Sequence, residues 1–72
     1  MNKEHDLKEA RAEAKEVIAK AEAVLAGGKG SAEAVAKLKE RLGKLEEKAN
    51  GEDATSIKIE AKFVLDEIAR IG

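Results

Sequence analysis

The stretch Ile57-Lys58-Ile59-Glu60-Ala61-Lys62-Phe63-Val64-Leu65-Asp66-Glu67-Ile68-Ala69-Arg70-Ile71 holds four of the five isoleucines of the chain and its only aromatic residue. At about 100° per residue, Ile57, Ala61, Val64, Ile68 and Ile71 advance in alternating steps of four and three, with Leu65 beside them. One helix with one apolar seam satisfies that spacing, and the seam predicts a core face. Ile59 falls almost opposite the seam. Phe63, Asp66 and Arg70 extend a second stripe from it, with Lys62 on its flank, and burial in a core does not account for that stripe.

Working towards the N-terminus, Val35, Leu38, Leu42, Leu45 and Ala49 step by three, four, three and four, the narrow seam of a tight bundle. Ser31 stands where an N-cap is needed, since its hydroxyl can accept from a backbone N–H one turn in. Asn50-Gly51 is a stop signal. Asp53 is the first choice as N-cap of the last helix and Thr55 the alternative. With Thr55 as cap, Ile59 would pack locally on Ala54. Gly43 interrupts the middle segment at a cost of about 1 kcal/mol relative to alanine. Either it admits a bulky neighbour or it occupies an unoptimised surface position.

The first segment repeats the pattern with smaller residues: Leu7, Ala10, Ala14, Val17, Ile18, Ala21 and Leu25, with Val24 at the margin. Glu4 and Asp6 suit the positive end of a helix dipole, and Gly27-Gly28-Lys29-Gly30 ends the segment with residues that tolerate positive φ. Alanine on the inner face permits a close neighbour. Ala12, Ala19, Ala23 and Ala26 lie on an outer flank, either as helix-favouring filler or as a docking groove.

Helices over about 4–26, 32–49 and 54–71, joined by short connections, make sequential helices antiparallel neighbours. The expected fold is all-α, an antiparallel up-down-up three-helix bundle forming a single domain over residues 1–72. At about 1.5 Å per residue its length would be roughly 27–35 Å. The expected core is Leu7, Ile18, Leu25, Val35, Leu38, Leu42, Leu45, Val64, Leu65 and Ile68, and the expected state is a monomer.

Composition narrows function by exclusion. Seventy-two residues suffice for one modest core, and 14 of the hydrophobic residues are alanine, so regular helices must supply much of the stability. No cysteine is present, which removes disulfides and thiolate metal sites. No apolar run approaches the roughly 18 residues of a membrane span, and Met1-Asn2-Lys3-Glu4-His5-Asp6 lacks the features of a signal peptide. Fourteen basic residues against fifteen acidic ones, without a like-charge block, argue against nucleic-acid and anionic-membrane partners.

Catalytic chemistry finds no constellation. The single histidine, His5, has no serine or cysteine nucleophile beside it, and His5 with Glu9 would provide two metal ligands where a zinc site needs at least three. Glu-x-x-His, the motif of carboxylate-bridged metal bundles, does not occur. Ser31 and Ser56 stand at helix starts. Gly27-Gly28-Lys29-Gly30 lacks the spacing and the preceding strand of a phosphate loop, so it is read as a linker. Asp66 and Glu67 point about 100° apart and cannot act as a catalytic pair, whereas Asp66 is expected to pair with Arg70 one turn later for about 0.3–0.5 kcal/mol. The expectation is a non-enzyme that binds no metal, nucleotide or cofactor.

Alanine, glutamate, lysine, leucine and arginine make up 46 of the 72 residues, with glycine or Asn-Gly at the turns and no cysteine, proline, tyrosine or tryptophan. In this the chain resembles computationally designed helical bundles, which implies a scaffold built to carry a helical patch. Val17-Ile18 with Leu25, Ser31-Ala32-Glu33, the Leu38 to Leu45 helix and Gly51-Glu52-Asp53 before Ile57-Lys58 are similar to the C-terminal helical lid of Hsp70 chaperones over roughly residues 14–72. That resemblance implies a mobile, non-catalytic cover for a peptide-binding sandwich, of which this sequence has no counterpart.

Three readings of the second stripe follow. Ile59, Lys62, Phe63, Asp66 and Arg70 would form a protein-binding surface anchored by Phe63, since apolar residues at i and i+4 are what a helix offers to a groove. Alternatively Phe63 folds over a bundle edge and Ile59 is an isolated surface residue, or the stripe pairs with a second copy. Joint exposure of Ile59 and Phe63 is what the first reading requires.

Overall fold

In the computed structural model, which describes residues 3–71, the chain forms three α-helices: α1 (Lys3–Ala26), α2 (Ala32–Ala49) and α3 (Ala54–Ile71). Each start and stop has a local chemical cause. Ser31 is extended at φ −74° and ψ 161°, and its hydroxyl accepts from the Ala34 N–H at 3.1 Å, which caps α2. Asp53, rather than Thr55, caps α3. Its carboxylate accepts from the Ser56 N–H at 3.2 Å and from the Ser56 hydroxyl at 2.9 Å. The local packing of Ile59 on Ala54 that a Thr55 cap would have allowed therefore has no basis.

The two connections differ in backbone. Between α1 and α2, Gly28 and Gly30 take φ of 68° and 91°, the left-handed region in which a side chain is strained. Gly30 is also held close to the end of α3, because a Cβ there would lie 3.1 Å from Ile71 Cγ2. Between α2 and α3 no positive φ is used. Asn50 remains helical, and the Gly51 N–H closes the last turn onto the Lys48 carbonyl at 2.9 Å.

The three apolar seams meet along one axis. Ala10, Ala14, Val17 and Ala21 of α1, Leu38, Leu42 and Leu45 of α2, and Ile57, Ala61 and Val64 of α3 form a continuous buried cluster. Leu38, Leu45, Ile57 and Val64 are its largest fully buried side chains, each stabilising the fold by roughly 1.5–3 kcal/mol relative to exposure. Leu7, Ile18, Leu25, Leu65, Ile68 and Ile71 pack around it half-buried. Val35 departs from the expected core: it is half-buried in the first turn of α2 and stands outside the cluster. Helix α3 packs along both of its neighbours, while α1 and α2 meet less extensively.

The protein is thus an all-α, antiparallel three-helix bundle. The Cα trace extends 43 × 16 × 15 Å, longer than the expected 27–35 Å. Helix α1 alone, at 24 residues, covers about 36 Å. Gly43 is exposed with no atom near an added Cβ, so it is a surface position and admits no bulky neighbour.

Candidate functional site

Helix α3 buries Ile57, Ala61 and Val64, and helical geometry then forces Ile59 and Phe63 outward. They are 46% and 40% exposed, the large hydrophobic residues that the described chain leaves in solvent, and they stand one turn apart. Lys62, Asp66 and Arg70 are also exposed. All five residues singled out from the sequence therefore share the outer side of one helix.

Two details differ from the sequence reading. Arg70 pairs with Glu67, Nη1 to Oε1 at 3.6 Å, and not with Asp66. Glu67 lies on the flank of α3 that adjoins α2, where its side chain retains only 11% of its exposure. A sheltered carboxylate gains more from a cation than a hydrated one does, which leaves Asp66 to solvent. The second detail is Arg41. From α2, its guanidinium carbon sits 4.8 Å from the centroid of the Phe63 ring, a cation–π contact. Phe63 thus has one covered and one open side.

The sequence reading gave no role to Arg41 or Glu60 and weighed Glu67 only as a catalytic pair with Asp66. Glu60 Oε1 is sheltered from solvent without a protein hydrogen-bond partner, and Glu67 is nearly as buried as the apolar core. The signal was present in their spacing: 60 and 67 are two turns apart and border the seam, as flanking positions of a bundle helix do. Which neighbouring helix they would meet is not encoded in that spacing.

Other surfaces have less to offer. A shallow groove between α1 and α2 has a floor of Ala14, Ile18 and Ala49, and Arg11 closes one end by donating to the Gly51 carbonyl at 3.0 Å. Its lining holds no serine, threonine, cysteine or histidine. Ala12, Ala19, Ala23 and Ala26 are exposed. His5 Nε2 and Glu9 Oε1 are 3.5 Å apart, both mostly in solvent, and among the described residues no three or more histidine, cysteine, aspartate or glutamate side chains gather as a metal would need. No described helix is long and apolar enough to cross a membrane.

The Asp53 carboxyl is held below its ordinary range, first by the Ser56 hydroxyl and then by the Ser56 N–H, with a smaller contribution from the Lys48 charge. Its role is that of a helix cap.

Comparisons with known protein families, with curated proteins and with solved structures found no match.

Proposed function

We propose that the chain is a non-catalytic helical scaffold, of the engineered kind its composition resembles, that acts as a monomer and presents the outer face of α3 to a protein partner. The observation that carries this reading is the joint exposure of Ile59 and Phe63 one turn apart. Both stand on a helix whose opposite face is locked in the core, so little side-chain or backbone freedom is lost on docking. Phe63 is the anchor, because aromatic residues on rigid elements dominate interface energies. Lys62, Asp66 and Arg70 set register and orientation.

A purely structural bundle without a partner is the second reading, and the Arg41–Phe63 contact favours it. A cation over the ring gives Phe63 a role within the fold, as a clasp between α2 and α3.

Selection of partners from a displayed library of groove-bearing domains separates the two. Under the docking reading, Ile59→Lys and Phe63→Glu each abolish capture. Ile59→Lys should leave thermal stability within about 0.5 kcal/mol, as ordinary surface changes do. If Phe63→Glu costs several kcal/mol of folding stability, the residue belongs to the fold and the docking reading fails.

A further inference from the structure

We infer that the partner segment is an acidic amphipathic helix, because α2 lays a row of cations beside the apolar pair Ile59 and Phe63. This rests on the docking role of α3 and specifies its ligand. Lys37, Arg41, Lys44 and Lys48 advance along α2 by four, three and four residues, so at about 100° per residue they share a sector about 60° wide. Interleaved in the sequence with acidic and apolar residues, they form no block there.

Two contacts show which way the row faces. Arg41 lies over Phe63, and Lys37 borders the same shallow groove as Glu67 and Arg70 of α3. Across the apolar pair stands exposed Lys62. Among the described residues, no carboxylate oxygen lies within 4.0 Å of Lys37, Arg41, Lys44 or Lys62. Lys48, also exposed, stands at the far end of the row.

The nearby anions do not cancel it. Glu67 is taken by Arg70, and only Glu60, half-buried, and Asp66 remain on α3. On α2 itself, Glu33 borders the groove at the Lys37 end of the row, and Glu40 and Glu47 fall roughly 100–120° behind Arg41, so the cations nearest the apolar pair are Arg41, Lys44 and Lys62. In a chain of net charge −1, this edge is locally positive.

A helix carrying two apolar residues one turn apart, flanked by glutamate or aspartate, matches both features. Its apolar pair meets Ile59 and the open side of Phe63, and its carboxylates meet guanidinium and ammonium groups that have no carboxylate partner of their own. Charge complementarity of this kind chiefly raises the association rate and rejects basic competitors. An anionic lipid surface fits less well, since lying in a bilayer interface requires a broad apolar face, and α3 exposes only Ile59 and Phe63 as large apolar residues.

The test uses the full chain and two synthetic dye-labelled helical peptides of about 18 residues, long enough for helicity to be appreciable. One has leucines at i and i+4 flanked by glutamates, and its twin carries lysines in place of the glutamates. Fluorescence anisotropy should show the acidic peptide binding at least about 10-fold tighter than its twin, and weakening about 10-fold between roughly 0.05 and 0.5 M salt. Lys44→Glu, at an exposed position, should weaken it about 5- to 10-fold, and Phe63→Ala about 30-fold. Equal or tighter binding of the lysine twin, lost on Phe63→Ala, would overturn the acidic preference while leaving docking on α3 intact. Acidic-peptide binding indifferent to both Phe63→Ala and Ile59→Lys would overturn docking on α3 as well. Binding of neither peptide, or tighter binding to phosphatidylcholine vesicles with about one third phosphatidylserine, would overturn the acidic-helix assignment.

Discussion

Arg41 and Phe63 are 22 residues apart in the sequence, yet the guanidinium carbon of one stands 4.8 Å from the ring centroid of the other. The contact joins α2 to α3 at the surface, outside the apolar cluster. A half-exposed cation–π pair contributes about 0.5–1 kcal/mol. A double-mutant cycle with Arg41→Ala and Phe63→Ala, followed by urea unfolding, should give a coupling of that size. A coupling indistinguishable from zero would mean that the two side chains are merely adjacent.

The core makes a larger prediction. Leu38→Ala and Ile57→Ala remove fully buried side chains and should each cost about 2–5 kcal/mol through lost transfer energy and a residual cavity. Ile68, half-buried, should fall at or below the lower end of that range. Should both Leu38→Ala and Ile57→Ala cost less than about 1 kcal/mol, the packing described above is wrong.

Two glycines should respond in opposite directions. Gly43 is helical and open to solvent, so Gly43→Ala should stabilise by about 1 kcal/mol and raise Tm by about 4–8 °C. Gly30 combines φ 91° with Ile71 atoms 3.1 and 3.2 Å from the place a Cβ would take. Gly30→Ala should therefore lower Tm, and by more than Gly28→Ala, whose φ of 68° is strained but whose surroundings are empty. Equal Tm values for the two loop variants would remove the close approach of Gly30 to α3.

Asp53 sets an acid limit on one helix cap. Its folded-state pKa lies below the ordinary 3.8, so its stabilising effect is present above that value and is lost as the pH falls through the folded pKa. Asp53→Asn keeps a capping acceptor but cannot titrate. The stability advantage of the native protein over Asp53→Asn should shrink between about pH 5 and pH 2, read from chemical unfolding at each pH. An advantage constant across that range would mean that the carboxylate charge plays no part in the cap.

Local chemistry along the chain sufficed for the helices and their ends. Helical spacing selected the seams around Leu38, Leu45, Ile57 and Val64, and Ser31, Asp53 and the glycines after Ala26 marked the boundaries, because capping and positive φ act within a few residues. The same periodicity put Ile59, Lys62, Phe63, Asp66 and Arg70 on the outer side of α3, since a residue's direction from a helix axis depends only on its number. What number cannot convey is the identity of a neighbour from another helix. That Arg41 covers Phe63, that Arg70 turns to sheltered Glu67 instead of Asp66, that Val35 leaves the core, and that Lys37 and Arg41 come to border the outer edge of α3 were decided by tertiary packing. Each depends on how two helices are rotated and staggered against one another, and that arrangement is fixed jointly by all three seams and by no single stretch.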